Sequence, residues 1–224
     1  MTAPRVTASE EASPELRKHM AAHFQAATAL QAAIAQGRLS DARDQAHWFA
    51  SHDMDAPPGW GPYIDELRYS AMRIERARDV PTAGVQIARL GRACSSCHEA
   101  QNAHPAFAYE APPADDKTLE AQMARHQWAA ERLWEGLVGP ADQLWQEGAR
   151  VMATARLDVA ASMHDKPNAE VVELAERLQE QATEAVSITN RDARATWFGA
   201  IMETCANCHS ITRPAAVVGV RQEE

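Results

Sequence analysis

The pentapeptide Cys205-Ala206-Asn207-Cys208-His209, in a chain of 224 residues, has the form C-x-x-C-H. The same form occurs earlier as Cys94-Ser95-Ser96-Cys97-His98, and the two motifs contain all four cysteines of the chain. C-x-x-C-H is the attachment sequence of c-type haem. Its cysteines can form thioethers to the porphyrin, and its histidine can bind the iron. The sequence therefore predicts two covalently bound haem c groups. The predicted cofactor-binding residues are Cys94, Cys97, Cys205 and Cys208, and the predicted proximal iron ligands are His98 and His209.

Two other uses of paired cysteines compete with haem attachment. Two C-x-x-C pairs can form a zinc site with four thiolate ligands, and one pair can form a disulfide. Zinc ribbons usually join their pairs through about 15–20 residues, whereas Cys97 and Cys205 are 108 positions apart. Redox-active C-x-x-C pairs usually lie beside a βαβ unit, and no strand pattern surrounds either motif. A histidine after both pairs favours haem over both alternatives.

A second pattern divides the chain into two similar halves. Between residues 16 and 34, core-type residues recur in steps of four and three, as on the inward face of a bundle helix. The pattern returns 103 residues later with five of its six residues identical. The first set is Leu16, Met20, His23, Ala27, Leu30 and Ile34, and the second is Leu119, Met123, His126, Ala130, Leu133 and Leu137. We interpret the chain as a tandem duplication of a unit of about a hundred residues.

Each half is predicted to form four helices, bounded by capping residues and prolines. These helices cover about residues 14–36, 40–51, 63–78 and 82–101, and about 117–137, 141–162, 168–188 and 191–210. The predicted fold is all-α, with two tandem four-helix bundles and a haem motif on the fourth helix of each. Residues 13–104 form the first bundle, 105–115 a linker and 116–213 the second bundle, between a flexible N-terminus (1–12) and a tail (214–224).

This arrangement resembles the class II c-type cytochromes, the cytochrome c-prime family. The resemblance extends from about Ser13 to Arg213 and depends on the motif position, the helical periodicity and the duplication. It implies that the first helix is an antiparallel neighbour of the fourth and covers the second face of the haem. Members of that family often leave the iron open, and their low-spin relatives use a methionine of the first helix.

The sixth ligand of each iron is predicted to come from the first helix of its half. His23 and His126 are the first candidates, because a buried imidazole needs partners for its ring nitrogens. Met20 and Met123, one turn earlier, are the alternatives, although methionine also fills cores. An open five-coordinate iron is the third possibility. The other histidines, which have no repeat counterpart, are expected on the surface or in loops. They are His19, His47, His52, His104 and His164.

Composition and charge exclude several classes of function. The chain is 46% hydrophobic and 24% charged, which is ordinary for a globular protein. No apolar run approaches the roughly 20 residues of a membrane helix. The net charge is −9, which argues against nucleic acid as a partner. We find no phosphate loop, dinucleotide-binding turn or Ser/His/Asp pattern, so we do not expect an enzyme.

The sequence thus predicts an electron carrier with two haems and an unidentified redox partner protein. Two filled axial positions favour electron transfer. The alternative is a gas-binding or sensor protein that binds nitric oxide or carbon monoxide at a five-coordinate iron; a dihaem peroxidase is a minor third possibility. Bacteria attach haem to C-x-x-C-H outside the cytoplasm, so we expect a periplasmic protein. Residues 1–5 lack an apolar signal sequence, so we expect that a leader was removed.

Overall fold

A computed structural model describes residues 13–52, 59–157 and 168–212 of the chain. Within these ranges the chain forms eight α-helices and no strand, which confirms the all-α prediction. The helices are α1 (Pro14–Ala35), α2 (Leu39–Ser51), α3 (Gly61–Glu75), α4 (Val80–Ala100), α5 (Leu119–Val138), α6 (Asp142–Thr154), α7 (Ala169–Ala185) and α8 (Arg191–Thr212). The predicted flexible N-terminus and the predicted tail lie outside the described residues.

One predicted helix ends earlier than expected. The prediction of a helix over 141–162 is wrong for residues 155–157, because α6 ends at Thr154. Ala155 leaves the helical conformation with φ −76° and ψ 81°. Its carbonyl oxygen then lies against the imidazole of His126 on α5. A tertiary hydrogen bond thus replaces the continuation of the helix.

The first and fourth helices of both halves begin at short polar side chains that cap the free backbone N–H groups. Ser13 Oγ accepts from the backbone N–H of Leu16 at 3.1 Å, and Pro14 occupies the first turn of α1. Thr118 caps α5 in the same way, through the backbone N–H of Ala121. At α4 and α8 the capping residues are Asp79 and Asn190. The third helices differ, since Asn168 caps α7 whereas α3 begins without a side-chain cap.

The centre of the fold is an antiparallel pair formed by α4 and α8, which make the most extensive helix contact. Gly84 lies against Met202 and Glu203, whereas Arg92, further along α4, pairs with Asp192 at the start of α8. Residues with higher numbers on α4 thus contact residues with lower numbers on α8, so the two helices are antiparallel. The C-terminal ends of the two helices, which carry the two motifs, therefore lie at opposite ends of this pair.

Buried residues of both halves form one continuous core. Trp134 of α5 and Phe198 of α8 are fully buried and their rings lie 5.5 Å apart. Gly91 of α4 allows this packing, since a Cβ there would lie 2.7 Å from the Trp134 ring. Consecutive helices within each half also pack against each other. The division into two bundles stays a prediction.

The predicted inward faces of α1 and α5 are buried in the C-terminal part of each helix. The buried members are Ala27, Leu30 and Ile34 in α1 and His126, Ala130, Leu133 and Leu137 in α5. Leu119 is the exception at 44% exposed, so its assignment to the inward face is wrong. It is the first residue of α5 and precedes the part of the helix that reaches the core.

Candidate functional site

The two C-x-x-C-H motifs lie in the last turns of α4 and α8, and all four cysteines are partly buried free thiols. Along the antiparallel pair, Gly84 of α4 lies opposite Met202 and Glu203 of α8. Cys205, the first residue of the second motif, therefore lies opposite about residue 82 of α4. Cys94 is 12 residues further along α4, which is about 18 Å at the helical rise of 1.5 Å per residue. Within the described ranges, no cysteine belongs to a group of three or more possible metal ligands. This arrangement does not fit a zinc site with four thiolates.

The cysteines are held as protonated thiols. Burial, together with the neighbouring Cys97, raises the pKa of Cys94 to about 12, and burial with Cys208 does the same for Cys205. Burial also raises the pKa of Cys97 and Cys208. Because the thiolate is the reactive and metal-binding form, these cysteines do not have the character of a redox-active pair.

Each motif histidine is oriented by a backbone carbonyl of the other half. His98 Nδ1 lies 2.7 Å from the carbonyl oxygen of Val138, the last residue of α5. His209 Nδ1 lies 2.5 Å from the carbonyl oxygen of Ala35, the last residue of α1. The last carbonyls of a helix lack partners within it, so they can accept a hydrogen bond from an imidazole.

The position of this hydrogen bond has a chemical consequence. A metal-binding histidine usually donates through one ring nitrogen and binds the metal through the other. Donation through Nδ1 would assign metal binding to Nε2. Burial lowers the pKa of His98, which favours the neutral imidazole that metals bind. The donor set of both motifs, two thiols and an anchored imidazole, therefore fits covalent haem.

An ion-pair network fixes the start of α8 beside the first motif. Arg92 pairs with Asp192 at 2.6 Å and donates to the hydroxyl of Ser95, which lies inside that motif. Glu99 accepts from Arg191 at 2.8 Å. The second motif is preceded by a neutral contact instead, since Thr204 Oγ1 donates to Gln181 of α7 at 3.0 Å. The surroundings of the two motifs therefore differ in charge.

His126, the predicted distal histidine of the second half, is buried on α5 and close to the second motif. Burial lowers its pKa, and the charges of His209 and Arg125 lower it further, against a backbone hydrogen bond that raises it. His126 Nε2 forms this bond with the carbonyl oxygen of Ala155 at 2.5 Å. Met123, one turn earlier, is partly buried. Whether either residue binds iron stays a prediction.

His23, the predicted distal histidine of the first half, has different neighbours. Its ring lies 4.2 Å from the ring of His19, 5.7 Å from that of His52 and 5.3 Å from that of Trp48. Burial and the charges of His19 and His52 lower its pKa to about 4. Met20 is partly buried beside this cluster on α1.

Sequence reasoning missed this group of histidines. His19 and His52, which were expected on the surface or in loops, are partly buried members of one cluster. The spacing of four residues between His19 and His23 places both on one face of α1 and was the available signal. The contribution of His52 from the end of α2 depends on how the two helices pack.

Comparison of the chain with models of known protein families, with curated proteins and with solved structures found no match. None of the helices in the described ranges has both the length and the apolar character that a membrane span requires.

Proposed function

We propose that this protein is a dihaem c-type cytochrome that carries electrons to a redox partner protein. The observation that supports the proposal best is the matched orientation of the two motif histidines. His98 and His209 each direct Nδ1 to a helix-terminal carbonyl, of Val138 and Ala35 respectively. Bound haem would supply reversible one-electron chemistry at its iron. Export to the periplasm belongs to the proposal, since bacteria attach haem to C-x-x-C-H outside the cytoplasm.

The chain's own residues have distinct tasks in this proposal. The four cysteines would tether the porphyrins, and the motif histidines would bind iron through Nε2. The carbonyls of Val138 and Ala35 hold the ring orientation and increase the basicity of the coordinating nitrogen. In the second half His126 would be the sixth ligand, which requires its Nε2 to exchange the carbonyl of Ala155 for iron. Two bundles with haem at their fourth helices would share the core around α4 and α8.

A gas-binding function is the second candidate, because the distal positions of the two halves differ. His126 bonds to a backbone carbonyl, whereas His23 lies against two other imidazoles. If His23 does not reach iron and Met20 does not replace it, the first iron has an open position. Nitric oxide or carbon monoxide would bind there.

Mass spectrometry of the exported chain tests haem attachment. We expect the added mass of two haems in the wild type and of one haem in each of two double variants. The variants are Cys94→Ala with Cys97→Ala, and Cys205→Ala with Cys208→Ala. A polypeptide without added mass, produced in cells that attach haem to other exported cytochromes, would refute the proposal.

Absorption spectra of the reduced protein, with and without carbon monoxide, test the ligands of the second iron. We expect His126→Ala to lose the sharp low-spin bands of one haem and to gain carbon monoxide binding. The matched variant Met123→Ala should keep the bands. The opposite result would assign Met123 as the ligand. Carbon monoxide binding to the wild type, at one iron or at both, would instead favour the gas-binding function.

A further inference from the structure

Three imidazoles converge beside the start of α1. His19 and His23 lie one turn apart on this helix, and His52 follows the last residue of α2. One ring nitrogen of each lies within 4.8 Å of the others. In the part of the chain that the structure describes, no other group of three histidine, cysteine or acidic side chains is placed to hold a metal ion.

The central histidine has a buried nitrogen that the protein does not satisfy. His23 Nε2 is inaccessible to solvent and has no hydrogen-bond partner. A buried polar atom without a partner is destabilising, so this nitrogen is a candidate for binding a ligand.

The second half of the duplication shows that the fold does not require this cluster. A shift of 103 residues places Gln122 at the position of His19 and Ala155 at the position of His52. There, His126 Nε2 finds a partner in the carbonyl oxygen of Ala155. The second half thus satisfies its histidine internally, whereas in the first half two further imidazoles lie beside the equivalent ring.

We propose that His19, His23 and His52 bind one divalent transition-metal ion. Ligands that are all imidazole suit zinc, copper and nickel. Zn–N bonds of about 2.0–2.1 Å place the nitrogens of a tetrahedral site about 3.3 Å apart. Rotation of the partly exposed His19 and His52 side chains closes the distance from the present 4.8 Å or less. Three protein ligands leave a fourth position for water.

An aromatic neighbour supports the third ligand. The ring of Trp48 stacks on that of His52, with centroids 4.2 Å apart and an interplanar angle of 17°. This contact keeps the ring of His52 near that of His23, with centroids 5.7 Å apart. The inference does not depend on haem attachment. A metal ion at His23 does, however, exclude this residue as the sixth ligand of the first iron and leaves that position to Met20 or open.

Calorimetric titration of the full chain with Zn²⁺, after removal of bound metal by a chelator, tests the site. We expect one Zn²⁺ per chain. The affinity should fall by at least about 10-fold in His19→Ala and in His52→Ala, because even the loss of a residue that only hydrogen-bonds to a metal ligand lowers metal affinity by about that factor. His47→Ala is the matched control, because His47 lies on α2 and pairs with Glu75 at 3.1 Å. It should bind Zn²⁺ as the wild type does.

Two outcomes would overturn the inference. One is a wild type that does not bind Zn²⁺, and the other is an equal loss of affinity in His47→Ala and His52→Ala, which would indicate general surface binding. Electron paramagnetic resonance of bound Cu²⁺ is the second readout and should show coupling to several nitrogens, reduced in His52→Ala.

Zn²⁺ titration and absorption spectra of the same protein distinguish a failure of this inference from a failure of the proposed function. If Zn²⁺ fails to bind and His23→Ala alters the low-spin bands, His23 is an iron ligand and the inference is wrong. If the chain carries no haem but binds Zn²⁺ with the expected pattern, the inference holds and the proposed function is wrong.

Discussion

The crossing of α4 and α8 depends on a glycine at the point of closest approach. A Cβ on Gly84 would lie 3.0 Å from the backbone nitrogen of Glu203 and 3.1 Å from the carbonyl carbon of Met202. Since both neighbours are backbone atoms, the methyl of Gly84→Ala can be accommodated only if the helices separate. Overpacking of this kind costs about 2–3 kcal/mol, and the higher helix propensity of alanine recovers about 1 kcal/mol. We therefore expect Gly84→Ala to lower the free energy of unfolding by about 1–2 kcal/mol.

Gly199→Ala is a matched control on the opposite helix of the same crossing. The nearest atom to its Cβ would be the methyl of Ala88 at 3.3 Å, and the backbone of Val85 is further away at 3.6 Å. A shift of a few tenths of an ångström relieves this contact, so the gain in helix propensity of about 1 kcal/mol should dominate. Urea denaturation followed by circular dichroism measures both variants. A Gly84→Ala variant as stable as the wild type, or an equal loss in both variants, would refute the reasoning.

Three further changes test other features of the fold. Trp145→Phe removes the buried hydrogen bond of 2.8 Å from the indole N–H to the carbonyl oxygen of Ala185. It should lower the free energy of unfolding by at least about 1 kcal/mol. A smaller loss in urea denaturation would contradict this. Burial raises the pKa of Glu135 from 4.5 to about 7, so between these pH values the folded state keeps a proton that the unfolded state releases. The stabilisation by protonated Glu135 is therefore lost as the pH rises, and the free energy of unfolding declines between pH 5 and pH 8. Glu135→Gln should make this decline smaller. An unchanged decline would show that other groups cause it. Asp192→Asn removes a charge, on a side chain that is 77% exposed, from the ion pair with Arg92 and should cost less than about 1 kcal/mol. The difference from wild type should shrink at high salt, and a larger or salt-independent loss would speak against a solvent-screened pair.

The anchoring of the motif histidines couples the two halves. The carbonyl that orients His98 belongs to α5, and the one that orients His209 belongs to α1. A shift of the last carbonyl of α1 or α5 would therefore change the hydrogen bond of a motif histidine in the other half. Gly37 stands at such a position: it follows α1 with φ +77°, which favours glycine, and lies against the His209 side chain.

Periodicity and capping residues along the chain were enough to predict the all-α fold, the order of the helices and most of their ends. These features are local, because a helix is stabilised by contacts within a few residues and by its caps. The motifs and the repeat are likewise properties of short strings and of one internal comparison. Leu119 shows the limit of periodicity, since it obeys the spacing of the inward face but lies outside the core.

Contacts between distant parts of the chain depend on packing, which local patterns do not carry. Three such contacts are the antiparallel pairing of α4 with α8, the hydrogen bonds of His98 and His209 to backbone carbonyls, and the approach of His52 to α1. The duplication predicts equal surroundings for His23 and His126, yet their neighbours differ because α2 and α6 end in different residues. The sequence alone therefore predicts which residues are the candidate ligands, whereas the packing of the helices decides which groups contact them.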